Sequence, residues 1–437
     1  MKHLATGVTG FALLLATGTA CSGSPATQSP RTADATPTES ARVDLEPPTF
    51  SDPTTLTNPY FAIEDVDQMV QLGAEGPDQL RFEVTLLPRT KTVEWNGESV
   101  EARVHQFVAY SNGRILEVAE DFYAQDDDGN VWYLGENVDN YRAGVIADHE
   151  GEWLAGRDGT AGMIMPADPQ VGDVYRPENI PGLVFEEVTV KAVGQTVDGP
   201  RGPVEGAVLI QEELMDGTLE DKIFAPGYGE FQAEVVTEDE LYGAAVAVPT
   251  DALPGPLPEE LATLEAGAER LVDAPGRLDD SSLAQSLDEL TRAWKAYQRT
   301  EVPTRLAAQM ADAFDALRGA ADAGATDQVR QAALDVRRAT LDISLRYDAP
   351  VEVDVARMDV WAQQVRLDGG ARTQHHVVGD AAVLETIWKR LVHTADPATA
   401  TAVSRTLKDL RTAADAGNLP TATEAASRLR QQLSTLG

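Results

Sequence analysis

Residues 121–136 read DFYAQDDDGNVWYLGE. Aromatic and apolar runs stand on both sides of Asp126-Asp127-Asp128-Gly129-Asn130, and a short Asp/Gly gap between such runs forms a tight β-hairpin. The same pattern extends outward. Residues 81–86 (RFEVTL) alternate polar and apolar, as a strand with one buried face does. Residues 92–95 run into Asn96-Gly97, the chain returns through 102–110, and Ser111-Asn112-Gly113 turns again before 115–118. Further strands are expected over 183–193, 206–213, 222–224 and 231–236, the last after the bend Ala225-Pro226-Gly227-Tyr228-Gly229. Helical periodicity is absent. The spacing predicts an antiparallel β domain over 58–250, as a curved sheet or partly closed barrel.

After Pro254, Pro256 and Pro258 the composition shifts to Ala, Leu, Arg, Asp and Gln. Leu306, Met310, Phe314 and Leu317 share one helical face, as do Leu384, Ile387, Trp388 and Leu391. The periodicity predicts eight helices, over 257–272, 280–299, 303–323, 326–346, 351–369, 377–394, 397–416 and 420–436. They repeat at an offset of 94: Leu290 matches Leu384, Trp294-Lys295 matches Trp388-Lys389, and Pro303 matches Pro397. One residue later in register, Ala320-Ala321-Asp322-Ala323-Gly324 matches Ala413-Ala414-Asp415-Ala416-Gly417, and Arg337 matches Arg430. Two tandem four-helix up-down units, 256–349 and 350–437, follow from this. The fold class is α+β and multidomain.

Length, 437 residues, and 43% hydrophobic content allow sizeable cores. The charge is lopsided. Acids outnumber bases 71 to 35, and residues 256–437 hold only 27 of the acids against 21 bases, so the excess sits in the first 255. Such a field repels nucleic acid and anionic headgroups, which excludes nucleic acid as a partner. The plain reading of the excess is a solvated acidic surface, with a cation-binding role as the alternative.

Lys2 and His3 precede an apolar stretch over 8–17 (VTGFALLLAT), too short to span a bilayer, then Gly18, Thr19, Ala20 and the single cysteine, Cys21. This resembles the lipobox of bacterial lipoproteins, with Gly18 where that family has an aliphatic residue. The resemblance implies a signal peptide over 1–20, lipidation of Cys21, and anchoring to the cell membrane on its extracytoplasmic face. Cleavage by the ordinary signal peptidase, leaving a free thiol, is the alternative. The Ser-, Thr-, Pro- and Ala-rich stretch that follows is expected to be a flexible tether, over 21–57.

Three segments of the β region, DFYAQDDDGNVWYLGE, GEWLAGRDGTAGMIMPADPQVGDVYRPE and KIFAPGYGEFQAE, together resemble a recurring domain of secreted, uncharacterised bacterial proteins. Members carry a WYAQD-x-DGNVWYFGE hairpin and a YAPGVG bend. The resemblance implies a fold, and no activity or ligand.

Several residues have functional potential. Asp126, Asp127, Asp128 and Gly129 suggest a calcium loop, yet with Gly129 at position six of an EF-hand, position one falls on Ala124. A hairpin turn accounts for them. His149, Met163 and Met165 have the soft chemistry of a copper site, against ordinary packing. Tyr123, Trp132, Trp153 and Tyr175 are candidates to line a ligand cavity, against a filled core. Trp294, Trp361 and Trp388 read as core. Asp354, Arg357 and Asp359 read as solvated or interhelical ion pairs, and His375, His376 and His393 as surface histidines. The inward Glu-x-x-His pairs of di-iron bundles are missing, and no cofactor is expected.

The chain contains no Gly-x-Ser-x-Gly elbow, His-Glu-x-x-His, Walker loop or Gly-x-Gly-x-x-Gly. Its one cysteine is assigned to the lipid. The expectation is therefore a non-catalytic binding or scaffold lipoprotein of the cell envelope, taking an apolar small molecule or an envelope protein. The alternatives are a copper-type metal handler and a hydrolase built on a carboxylate pair such as Glu120 with Asp121.

Overall fold

The computed structural model describes residues 41–61, 66–276 and 279–436, together with the paired pieces Thr6–Gly7 and Gly10–Phe11. Cys21, Gly18 and the tether up to residue 40 lie outside the described residues.

Fourteen strands form one antiparallel sheet: β1 (Val66–Glu75), β2 (Asp78–Trp95), β3 (Glu98–Ser111), β4 (Arg114–Gln125), β5 (Val131–Arg142), β6 (Val145–Asp148), β7 (Trp153–Leu154), β8 (Gly162–Met165), β9 (Val174–Ile180), β10 (Val184–Gly199), β11 (Gly202–Leu214), β12 (Leu219–Ala225), β13 (Gly229–Val235) and β14 (Glu240–Pro249). Two meanders, β1 to β5 and β9 to β14, join where β1 pairs with β14, while β6, β7 and β8 all pair with β5. Asn96-Gly97 and Asn112-Gly113 both take positive φ, the two-residue turn whose twist matches the flanking strands.

The sheet is not closed by hydrogen bonds, yet it curls until its ends touch. A Cβ on Gly162 of β8 would lie 1.9 Å from the Pro177 carbonyl oxygen of β9, so only glycine permits that approach.

The strands that join the meanders lack a clean alternation. In β14, ELYGAAVAVP, Val246 and Val248 pack toward helices while Ala244 and Ala247 pack on the other side. A strand buried on both faces reads as a continuous apolar run, which hides it from a period-two search.

Eight helices follow, close to their expected bounds: α1 (Glu259–Asp273), α2 (Asp280–Tyr297), α3 (Thr304–Asp322), α4 (Thr326–Ser344), α5 (Pro350–Gly370), α6 (Gln374–Leu391), α7 (Pro397–Asp415) and α8 (Leu419–Leu433). Each set packs on the convex face of the sheet. The first shares a core with Val70, Val246 and Val248, the second with Val108, Tyr110, Ile115 and Val118. Trp294, Trp361 and Trp388 are buried in these cores.

The repeat has a structural consequence at the junction of the two sets. Arg337 donates to Glu265 of its own set (2.8 Å) and to Gln363 of the other. Its repeat partner Arg430 donates to Asp359 of its own set (2.6 Å) and to Glu269 of the other (2.9 Å). Glu265 and Asp359, like Glu269 and Gln363, are themselves related by the 94-residue offset. The two units therefore meet about an approximate two-fold axis, each arginine tying both halves. Asp359 is bound by both arginines.

Helices and sheet are also riveted by buried charge. Arg81 and Arg357 both bind Asp342, Arg357 binds Asp354 at 3.0 Å, and Arg390 binds Glu83 at 2.9 Å. Gln68 accepts from Arg357 at 2.6 Å and Gln106 from Arg390 at 2.5 Å. Asp354 and Arg357 are thus buried at a sheet–helix boundary and not solvated. A lone sequence leaves this open, because the partners lie more than 280 residues away.

The stretch 42–57, expected as tether, runs along the sheet. Val43 donates to the Val174 carbonyl, Ser51 to Asp127, and the amides of Thr57 and Asn58 to Gln125. Composition undervalues it: Leu56 is buried, and the segment's backbone groups find partners on strands far away in sequence.

Candidate functional site

Strand pleating sends alternate side chains to opposite faces. On β4, Val118 and Glu120 meet the helices, while Ala119 faces Phe82 and Tyr242 across the concave interior, and Glu117 and Asp121 share that parity. The register then sets acids side by side: Asp121 opposite Glu136, Glu178 opposite Glu186, and Glu212 opposite Glu220. All six are buried, with Glu117 and Glu240 beside them. Lys222, fully buried, sits beside the last of these pairs, 2.5 Å from Glu212 and 3.4 Å from Glu220.

Burial governs the protonation of this interior. It pushes Glu117 up to about 8 and, with Glu220, Glu75 and Glu238 adding to it, Glu240 up to about 9. Asp121 is driven well above the carboxylate range by burial and Glu117, Glu136 by burial and Glu178, and Glu212 by burial and Glu186. Burial thus disfavours charge on Glu117, Asp121, Glu136 and Glu240, whereas Glu212 is pulled the other way by the Lys222 ammonium beside it. Lys222 behaves oppositely: burial opposes its charge, but Glu212, Glu220 and Glu230 outweigh that and hold the ammonium. Part of the acid excess assigned to the surface is therefore inside the sheet, where burial disfavours its charge.

The seam between the sheet's ends is sealed by side chains from the same set. Trp153 Nε1 donates to Glu178 at 2.8 Å, and Glu178 lies close enough to Glu136 to disfavour charge on it. The aromatic candidates gather here. Tyr123, Trp132, Trp153 and Tyr175 belong to one buried cluster, in which Tyr133 stacks on Tyr123 at 4.9 Å and meets Trp153 edge-on at 5.3 Å. Trp132 turns its indole N–H to Asp126 at 2.8 Å.

The remaining candidates separate. Asp126 accepts from the amides of Asp128 and Asn130, and Asp127 from Ser51, so these carboxylates cap the hairpin turn and pin the N-terminal strap. Met163 and Met165 are buried in the apolar core, whereas His149 lies at the surface with Nδ1 2.7 Å from the Val138 carbonyl oxygen. Glu120 and Asp121 point to opposite faces, Glu120 to Arg89 and Lys389. Among the described residues no group of three or more His, Cys, Asp or Glu is placed to hold a metal ion. No helix among them is long and apolar enough to cross a membrane.

Sequence reasoning missed the interior acids because abundant carboxylates made each one uninformative. The available signal was parity: Glu186 shares the alternation of Val184, Val188 and Val190, and Glu212 that of Val208, Ile210 and Leu214. No protein-family model matches this chain, and no curated protein matches it.

Proposed function

We propose that the protein is a lipid-anchored, non-catalytic binding protein of the bacterial cell envelope, held through Cys21 on the outer face of the cytoplasmic membrane, with the interior of its sheet as the receiving element. The anchor rests on the resemblance around Cys21. One observation carries the binding role: the Tyr175 hydroxyl and Glu212 Oε1 are buried, lie on one face of the sheet on either side of β10, where Val188 pairs with both residues, and hydrogen-bond to no described residue. Interiors that only pack leave few such groups. A small ligand bearing N–H donors meets acceptors there, beside the aromatic faces of Tyr123 and Tyr133. Lys222 shows that the same acids hold a primary ammonium.

The test uses the Cys21→Ser chain, thermal unfolding, and n-butylammonium and benzylammonium against benzyl alcohol. The ammonium ions are expected to raise the melting temperature, and Glu212→Gln with Tyr175→Phe to abolish the rise. If neither ion shifts the parent chain, and no small molecule is released on denaturing it, the binding role fails. Separately, Cys21→Ala is expected to move the protein from the membrane fraction to the medium; retention on membranes removes the anchor.

A further inference from the structure

A groove of about 320 Å³ lies where the turn between β5 and β6 meets the first turns of α6. We propose that this groove binds a small organic anion, a carboxylate carried on a flat apolar body. The site is separate from the sheet interior and does not depend on it.

The groove is built by close approach. A Cβ on Gly144 would lie 2.0 Å from the His375 carbonyl oxygen, so the turn touches α6 only because residue 144 is glycine. Ile115, Tyr141, Trp361 and Val383 supply apolar wall, with Trp361 held by stacking on Tyr110 at 5.9 Å. The volume is at the lower end for small-molecule sites and suits a fused ring pair.

The polar groups favour an anion. Arg114 binds Asp368 at 2.6 Å and Asp380 at 3.3 Å, yet its side chain remains 34% exposed. A planar guanidinium with five donors can add a carboxylate to those contacts. Arg142, also lining the groove, is exposed and forms no ion pair with any described residue. Beside a half-open cavity in a chain of net charge −36, that guanidinium is free to meet an anionic ligand.

Asp380 does not oppose this. Burial, then Asp368 beside it, disfavour its charge and push it well above the carboxylate range against the pull of Arg114, and its buried Oδ2 accepts no hydrogen bond. The first turn of α6, which carries His375 and His376, has no side-chain cap at Thr373 and adds the positive end of a helix dipole. The remaining acid at the rim, Asp148, already accepts from Asn140 at 2.8 Å.

The experiment titrates the full chain in detergent with three probes sharing one ring system: 2-naphthoate, 2-naphthylmethanol and 2-naphthylmethylammonium. Calorimetry is expected to show one equivalent of naphthoate bound about ten-fold or more tighter than the ammonium probe. Arg114→Gln should weaken naphthoate by about ten-fold. Because that change also touches Asp368 and Asp380, Ala147→Trp serves as a second variant: it fills the groove from an exposed strand position and should abolish binding with the fold intact. Glu212→Gln, which empties the sheet interior of its proposed role, should leave naphthoate binding unchanged. Equal or tighter binding of the ammonium probe, no binding of any probe, or full naphthoate binding by Ala147→Trp overturns the proposal.

Discussion

The two faces of the sheet bury charge in opposite ways. On the convex face, Glu83, Asp342 and Asp354 lie against Arg81, Arg357 and Arg390. On the concave face, acids lie against acids, with Lys222 as the buried ammonium among them. Burial by itself would raise Glu83, but Arg357, Arg81 and Arg390 overcome it and hold the carboxylate well below its usual range. Burial raises Glu117 to about 8 because no guanidinium answers it. Depth is the same, and the neighbour decides whether a carboxyl keeps its charge or its proton.

The sharpest way to break this contrast is to unbalance the convex face. Arg390→Met leaves Glu83 and Asp354 short of a partner and should cost about 3–5 kcal/mol, measured by denaturant unfolding. A loss below about 1 kcal/mol would mean that the pairs are not the fastening between sheet and helices.

A pH series tests the concave face. Glu117, Asp121, Glu136 and Glu212 bind protons when folded that they release when unfolded, so their contribution is fully present below the ordinary carboxylate range and declines as pH rises toward about 8. Buried His105, lowered to about 3 by burial and Arg103, acts in the other sense, but only below its unfolded value of 6.5. Between pH 6.5 and 8 the acids are unopposed, and the melting temperature should fall. Glu117→Gln should recover about 1–3 kcal/mol at pH 8 and little at pH 5. A flat profile from pH 6.5 to 8 sinks the neutral-interior account.

Lys222→Met refines it. Because Glu212 and Glu220 can take protons, the loss should be about 1–3 kcal/mol at pH 8 and smaller at pH 5.5, unlike the pH-insensitive loss at Arg390. Smallest of all, Ser51→Ala removes one exposed hydroxyl bond to Asp127 and should cost at most about 1 kcal/mol, seen as faster amide exchange along 42–57.

Much of the fold was legible from local pattern. Turn dipeptides such as Asn96-Gly97 mark hairpins, period 3.6 marks helices such as α3 and α6, and the repeat predicts two helical units. The strands β1 and β14 escaped because a doubly buried strand loses its alternation. The candidate site is legible only in part: the sequence points to Tyr123, Trp153 and Tyr175, but of the acids beside them only to Asp121, and there to a pairing with Glu120 that faces the other way. The strap at 42–57 was read from composition, which carries no information about distant backbone partners.

Sequence by itself determined where turns fall, which residues form helices and that the helical half is doubled, since each follows from neighbours along the chain. Only the tertiary structure decided which charges are buried and how each is neutralised. Arg390 meets Glu83 across 307 residues, whereas Glu136 meets Glu178 across the seam of the sheet. Electrostatic energy depends on through-space distance and on the solvent excluded, and neither is a property of adjacent residues.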